Sequence, residues 1–140
     1  SDTHGRVINS MIHSFVDDHP AASKAFTSMG QINYLSALKY VDAVVGNSSS
    51  GLLEAPTFKI GTINIGDRQK GRLKSHSVID CVPSEVSITS AIEKLYSTDF
   101  QTKLKIVKNP YGGGNASDKI IEILINNPVP EHIKKQFYDL

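Results

Sequence analysis

Three consecutive serines stand between an asparagine and a glycine in the middle of this 140-residue chain. They follow a short apolar run, residues 43–45, whose composition predicts a buried parallel strand. Ligands of open α/β sheets collect at the carboxyl ends of strands, where the N–H groups of the next helix favour anions. Residues 47–51, here called the serine turn, therefore predict an anion site. The competing interpretation is that the serines only cap a helix, because serine is a favoured N-cap residue.

Glu54 is the first carboxylate after the serine turn. It follows Ser50 by four residues, so the two side chains share a helix face if the good helix formers at residues 52–55 are helical. At about 1.5 Å rise per residue, Glu54 lies about 6 Å beyond Ser50 along the axis, close to the distance from a pyrophosphate to a ribose. A carboxylate at that point can accept hydrogen bonds from both ribose hydroxyls. The alternative is that Glu54 only compensates the helix dipole, which contributes about 0.3–1 kcal/mol.

A basic loop, residues 67–72, follows a second apolar run at residues 62–65. Its three cations, Arg68, Lys70 and Arg72, are suited to bind phosphates. The competing interpretation is a solvated charged loop. The position directly after a predicted strand favours binding, because the loop then lies at a carboxyl end, as the serine turn does.

The sequence predicts neither a catalytic constellation nor a metal site in this chain. No pair of carboxylates has general acid–base spacing, and no nucleophile stands in a serine–histidine–aspartate arrangement. The five histidines are scattered, and the single Cys81 builds neither a zinc site nor an internal disulfide. No metal and no cofactor are therefore predicted.

Apolar spacing predicts the elements that position these residues. Helical periodicity covers four longer segments, with Ser84 as the N-cap of the third: residues 5–18, 31–40, 87–96 and 115–126. Strand-like runs cover four short segments, of which the first is only a weak alternation: residues 23–27, 43–45, 62–65 and 78–82. Short apolar strands that alternate with helices predict a Rossmann-like α/β fold, with a parallel sheet and helices on both faces.

Charge balance and apolar content exclude several classes of partner. Fifteen basic and 14 acidic residues give a net charge of +1, so no basic field predicts nucleic-acid or membrane binding. The sequence has no apolar run of 18 residues and no signal-peptide pattern in its first residues. A single cysteine fits a reducing compartment, and a cytoplasmic location is expected.

Four stretches of the sequence resemble the hydrolysing UDP-N-acetylglucosamine 2-epimerases. They are residues 46–56, 62–72, 77–81 and 109–116, and the resemblance runs from Gly5 to Ile125. The Asn-Ser-Ser and Gly-Asp-Arg-Gln-Lys-Gly-Arg blocks, in this order and spacing, are its most specific part. The likeness is greatest to the bacterial branch that makes N-acetylmannosamine, or a related diamino sugar, for sialic-acid-type pathways.

The resemblance implies a UDP site in this chain. Ser48 and Ser49, together with the amides near Ser50, would hold the pyrophosphate. Glu54 would bind the ribose hydroxyls, and Arg68 would contact the UDP moiety from the basic loop.

The resemblance also implies how such an enzyme works. Members of the family have two Rossmann-like domains in a GT-B-type architecture, with the substrate in the cleft between them. UDP is eliminated to give a 2-acetamidoglucal, and water then adds to yield the epimeric free sugar. The catalytic acids and the histidine belong to the N-terminal domain, so no catalytic residue is expected here and the chain alone is expected to be inactive. Met29 matches a position whose backbone meets the uracil.

Domain bounds and partners follow from the same resemblance. Residues 1–127 are expected to form the UDP-binding domain, and residues 128–140 a tail that packs on the N-terminal domain. The expected partners are a UDP-sugar, that N-terminal domain and a second full-length copy in a homodimer. One departure is Gly113, where the family usually has an aspartate, so the role of residues 112–114 stays open.

Two alternative functions remain open from the sequence. The first is the nucleotide-sugar-binding domain of a GT-B glycosyltransferase, which would transfer the sugar to an acceptor and which the basic loop disfavours. The second is a nucleotide-binding module without catalysis.

Overall fold

The computed structural model describes residues 5–112 and 114–127 of the chain. The chain divides into two compact units, Ser1–Ala43 and Val44–Leu140. The predicted tail, residues 128–140, lies outside the described residues. That residues 1–127 form one domain stays a prediction.

The described part of the first unit contains two helices. α1 (Gly5–Asp18) has the bounds that the apolar spacing predicts. α2 (Gly30–Ala37) ends before the predicted end at residue 40. The chain turns there, and the Tyr40 N–H donates to the Ala37 carbonyl at 2.9 Å.

No strand forms at residues 23–27, so the prediction from their weak alternation is wrong. Ser23 belongs instead to the turn that follows α1. Its N–H and its hydroxyl both donate to the His19 carbonyl, at 3.0 Å and 2.7 Å. An alternation over five residues does not outweigh such local bonds between side chain and backbone.

A parallel sheet forms the centre of the second unit. Its strands are β1 (Ala43–Gly46), β2 (Gly61–Ile65) and β3 (Val78–Cys81), with β2 in the middle. β2 and β3 run parallel, and Asn64 lies opposite Asp80. The strands occur where the apolar runs predict them, so loops that follow the three strands meet at one edge.

The described helices of the second unit are α3 (Ser50–Leu53), a 3-10 helix (Ala55–Phe58), α4 (Glu85–Tyr96), α5 (Thr98–Lys105) and α6 (Ala116–Asn126). Ser84 caps α4 as predicted, because its hydroxyl accepts from the Ser87 N–H at 3.3 Å.

The apolar spacing does not predict α5. The helix begins after Ser97, whose hydroxyl accepts from the Phe100 N–H at 3.3 Å. Only Phe100 and Leu104 are buried in it, and two apolar residues are too few to reveal a helical period.

α3 and α4 cover opposite faces of β2, as the predicted fold requires. Thr62 faces α3, where a methyl group on Gly51 would overlap Cγ2 of Thr62. Gly61 faces α4, where a methyl group would overlap Cδ1 of Leu95. Because consecutive strand residues point to opposite faces, the two helices lie on opposite sides of the sheet.

The buried apolar side chains of the second unit come from the sheet and from the helices on both of its faces. They are Leu52, Ala55, Ile63, Ile79, Ala91, Leu95, Phe100 and Leu104. Among the residues described, no helix has the length and apolar content needed to cross a membrane.

Candidate functional site

The serine turn leaves the carboxyl end of β1, where the sequence predicts an anion site. The Ser50 N–H donates to the Ser48 hydroxyl at 3.3 Å, which closes a tight local turn. Ser49 directly precedes α3, but its side chain makes no capping hydrogen bond. In the part of the chain that the structure describes, the backbone N–H groups of Ser48 and Ser49 have no hydrogen-bond partner. The turn therefore offers donors that capping does not use.

α3 itself contributes little dipole, because it is a single turn of four residues. The α-helix predicted at residues 52–55 is wrong in this detail. The α-helix ends at Leu53, and a 3-10 helix with Pro56 in its first turn follows. Proline lacks an N–H and clashes with a continuing α-helix, which explains the change. An anion at this position would rely on individual N–H and hydroxyl donors.

Ser50 and Glu54 face each other, as their spacing predicts. The Ser50 hydroxyl donates to Oε2 of Glu54 at 2.5 Å in partly buried surroundings. A hydrogen bond to an ionised carboxylate is roughly twice as strong as one between neutral groups. Glu54 is therefore held in one orientation.

The serine turn is fastened to the centre of the sheet. The buried hydroxyl of Thr62 donates to the Gly51 carbonyl at 2.8 Å. Thr62 also occupies the space that a larger residue at position 51 would need. The turn and β2 consequently keep a fixed separation.

The basic loop contains a buried residue among its charges. Gln69 is 3% exposed, and its Nε2 donates to the Asn47 carbonyl at 2.7 Å. Nη1 of Arg68 lies 3.5 Å from Oδ1 of Asn47, a long and exposed contact. The structure thus brings Arg68 to the serine turn, whereas Lys70 and Arg72 are exposed and contribute no bond to it.

An open cleft of about 400 Å³ lies among the loops that follow the three strands. Its lining residues are Gly46, Asn47, Ile65, Gly66, Asp67, Arg68 and Pro83. The Gly66 N–H donates to the Cys81 carbonyl at 2.8 Å, which fixes the start of the basic loop against the end of β3. The cleft has the location at which open α/β sheets bind their ligands.

Asp80 lies beside the basic loop with two donors. Nδ2 of Asn64 donates to its Oδ1 at 2.7 Å, and Nζ of Lys74 lies 2.7 Å and 2.8 Å from its two oxygens. Burial is the largest single influence and raises the pKa of Asp80. The hydrogen bonds from Lys74 and Asn64, with the charge of the lysine, outweigh it and lower that pKa below the ordinary value of 3.8. Burial, helped by the charge of Asp80, raises the pKa of Cys81.

Asn109 supports the site, and the sequence reasoning does not single it out. Its Nδ2 donates to the Leu53 carbonyl at 2.8 Å and to the Thr57 hydroxyl at 2.7 Å. Its Oδ1 accepts from the Tyr111 N–H at 3.0 Å, and the Tyr111 hydroxyl donates to the Leu73 carbonyl at 3.0 Å. The segment is thus bound to the end of α3 on one side and to the end of the basic loop on the other. The stretch that resembles the family is its only signal in the sequence.

Met29 belongs to the first unit, where it directly precedes α2 and is half-buried. Its contact with a uracil stays a prediction, and Gly113 lies outside the described residues. Over the described residues, no cluster of three or more histidine, cysteine or acidic side chains is placed to hold a metal ion.

A cavity of about 930 Å³ lies away from the serine turn, and its lining includes four lysines: Lys74, Lys94, Lys103 and Lys108. Lys74 is paired with Asp80, and Lys103 with Asp99 at 2.7 Å. Lys94 and Lys103 stand in the last turns of their helices, where positive charge stabilises a helix end. Ion pairing and the stabilisation of helix ends therefore explain most of these lysines.

Comparison with known proteins connects the chain to enzymes that act on nucleotide sugars. Residues 1–125 match the profile of the UDP-N-acetylglucosamine 2-epimerase family. A Campylobacter jejuni protein named GDP/UDP-N,N'-diacetylbacillosamine 2-epimerase (hydrolyzing) is 42% identical, and the match covers 100% of this chain and 36% of that protein.

Two further relatives are more distant. The Escherichia coli polysialic acid biosynthesis protein P7 is 34% identical, over 100% of this chain and 36% of its own length. The Legionella pneumophila UDP-N,N'-diacetylbacillosamine 2-epimerase (hydrolyzing) is 31% identical, over 95% and 34%. The chain spans about a third of the length of these relatives. Because the family profile matches residues 1–125 of a chain with a Rossmann-like sheet, the chain belongs to the UDP-N-acetylglucosamine 2-epimerase family.

Proposed function

We propose that this chain is the UDP-binding C-terminal half of a hydrolysing UDP-sugar 2-epimerase. The observation that carries the proposal is the convergence of three kinds of group at one edge of the sheet. These are the backbone donors of the serine turn, the oriented carboxylate of Glu54 and the guanidinium of Arg68. Their chemistry suits a pyrophosphate joined to a ribose.

Each group has a role in this proposal. The N–H groups and hydroxyls of Ser48 and Ser49, with the amide region of Ser50, bind the pyrophosphate oxygens. Glu54 accepts hydrogen bonds from the ribose hydroxyls, and the hydroxyl of Ser50 keeps its carboxylate in place. Arg68 leaves its long contact with Asn47 and pairs with a phosphate. The backbone of Met29 meets the uracil.

The remaining two-thirds of the length of the relatives corresponds to the part that would supply the catalytic groups. In the proposed enzyme an N-terminal Rossmann-like domain closes over the nucleotide in a GT-B-type arrangement and contributes the acids and the histidine. Elimination of UDP and addition of water then release the epimeric free sugar. The chain alone is inactive under this proposal, and the complete enzyme is a cytoplasmic homodimer of a sialic-acid-type pathway.

The names of the relatives bear most directly on which sugar the enzyme acts on. The Campylobacter jejuni and Legionella pneumophila relatives are both named for diacetylbacillosamine, a diamino sugar. This supports a diacetamido sugar as the substrate, with UDP-N-acetylglucosamine as the alternative.

Titration of the full-length enzyme with UDP by calorimetry tests the binding site. Glu54→Ala is expected to weaken UDP at least tenfold, about 1.4 kcal/mol. Glu93→Ala, which removes an exposed glutamate on α4, is the matched control and is expected to leave the affinity unchanged. Equal affinities for all three proteins would exclude a ribose at Glu54.

Product analysis tests the reaction. With its UDP-sugar substrate, NMR spectroscopy is expected to detect UDP together with a free sugar epimerised at C2. Transfer of the sugar to an added acceptor, without a free epimer, would instead indicate a glycosyltransferase. Binding of UDP without any turnover would indicate a nucleotide-binding module.

A further inference from the structure

Gln69 is an uncharged, buried residue inside an exposed charged loop. It is 3% exposed, whereas its neighbours Arg68 and Lys70 are exposed. Its Nε2 donates to the carbonyl of Asn47 at 2.7 Å. This bond joins the loop after β2 to the turn after β1, 22 residues earlier in the chain.

The other half of the same amide is not used by the protein. Oε1 of Gln69 is buried and has no hydrogen-bond partner among the described residues. A buried unpaired carbonyl destabilises a fold, so an apolar side chain of the same volume would suit the packing as well. The polar character of Gln69 is therefore explained better by what Nε2 holds than by stability.

Asn47 is the point at which the two loops meet. Its carbonyl is held by Gln69, its side-chain oxygen lies 3.5 Å from Nη1 of Arg68, and Ser48 is its neighbour in the chain. The contact with Arg68 is too long and too exposed to fix a distance by itself. The bond from Gln69 is shorter and part-buried.

We propose that Gln69 is a positioning residue of the phosphate site: it holds the serine turn and Arg68 at the separation that a pyrophosphate requires. The inference rests on the proposed function and names no new ligand. Gln69 acts through Asn47 on groups that bind phosphate, so its removal weakens ligands that carry phosphates and spares the bare nucleoside.

A double-mutant cycle in the full-length enzyme tests this inference, with UDP and uridine as probes. Gln69→Met is expected to weaken UDP about tenfold and to leave uridine unchanged. Arg68→Ala is expected to lower the affinity for UDP in the wild type. In the Gln69→Met background the same change is expected to lower it by a factor at least about threefold smaller, because the arginine is already misplaced. Additive losses, or equal losses for UDP and uridine, would overturn the inference.

Gln101→Met is the matched control. Nε2 of Gln101 donates to the Leu95 carbonyl at the same distance, 2.7 Å, but Gln101 lies on α5 away from the serine turn. It is expected to leave UDP affinity unchanged.

Gln69→Asn covers the case in which Gln69→Met does not fold. It keeps an amide at this buried position, but its side chain is one methylene shorter and no longer reaches the Asn47 carbonyl at hydrogen-bond distance. UDP is expected to bind about tenfold more weakly, and uridine with unchanged affinity. Unchanged UDP affinity would overturn the inference.

The two proposals fail differently. If wild-type enzyme does not bind UDP, the proposed function and this inference fall together. If Glu54→Ala weakens UDP and Gln69→Met does not, only the inference falls.

Discussion

The hydroxyl of Ser50 lies 2.5 Å from Oε2 of Glu54 and orients that carboxylate through a bond within the protein itself. The site is therefore partly pre-organised. A carboxylate that is already fixed loses less conformational entropy when a ribose binds, and this raises the affinity without a new contact.

Ser50→Ala is expected to weaken UDP about threefold, less than Glu54→Ala, because the carboxylate remains but is no longer held. In the Glu54→Ala background the same change is expected to have little further effect, since the hydroxyl acts through the carboxylate. Calorimetry on the four proteins of this cycle measures both quantities. Full additivity would show that Ser50 and Glu54 act independently.

Asn109→Ala is expected to lower the free energy of unfolding by about 1–3 kcal/mol. The change removes the donors to Leu53 and Thr57 and the acceptor for the Tyr111 N–H. Urea denaturation followed by circular dichroism measures the loss. Asn127→Ala, which removes one exposed bond to the Ile123 carbonyl, is the control and is expected to change little.

Gly51→Ala is expected to destabilise the protein by about 1–3 kcal/mol, because the added methyl group meets Cγ2 of Thr62 in a buried place. UDP binding should weaken as well, since the serine turn must shift. Gly5→Ala is the control, because nothing lies within 4 Å of the added methyl group. Thermal unfolding compares the two variants, and similar melting temperatures would contradict the prediction.

Asp80 is expected to make part of the stability depend on pH. Its pKa is lowered on folding, so its ionised form stabilises the fold above the ordinary value of 3.8, and this contribution disappears as the pH falls through the lowered pKa. The side chain is 55% exposed, so the contribution is expected to stay below about 1 kcal/mol.

Urea denaturation of the wild type and Asp80→Asn at about pH 7 and about pH 2 measures this contribution. The wild type is expected to be the more stable protein at the higher pH, and the difference is expected to vanish at the lower pH. Asp99→Asn is the control for a more exposed ion pair, since its carboxylate is 76% exposed. A difference for Asp80→Asn that persists at low pH would contradict the prediction.

Much of the fold is predictable from the sequence, because its signals are local. The bounds of α1 follow from apolar spacing, and the cap of α4 follows from Ser84. The pairing of Ser50 with Glu54 follows from a spacing of four residues. Each of these features depends on residues within a few positions of one another.

The parts that the sequence does not predict depend on distant residues. In the sequence Gln69 is one more polar residue in a charged loop, and only the structure shows that it is buried and bonded to Asn47. Asn109 acts on Leu53, which lies 56 residues earlier. No periodicity encodes such pairings, because they arise when loops from different strands meet.

β2 is the strand in which almost every side chain has a specific neighbour. Gly61 leaves room for Leu95, Thr62 bonds to the Gly51 carbonyl, and Asn64 bonds to Asp80. Few sequences can satisfy all of these demands at once. In a library that replaces each position with every amino acid, β2 should accept the fewest substitutions, while the exposed Lys70 and Arg72 accept many. The central strand is thus the part of the chain whose sequence is most tightly restricted by its neighbours.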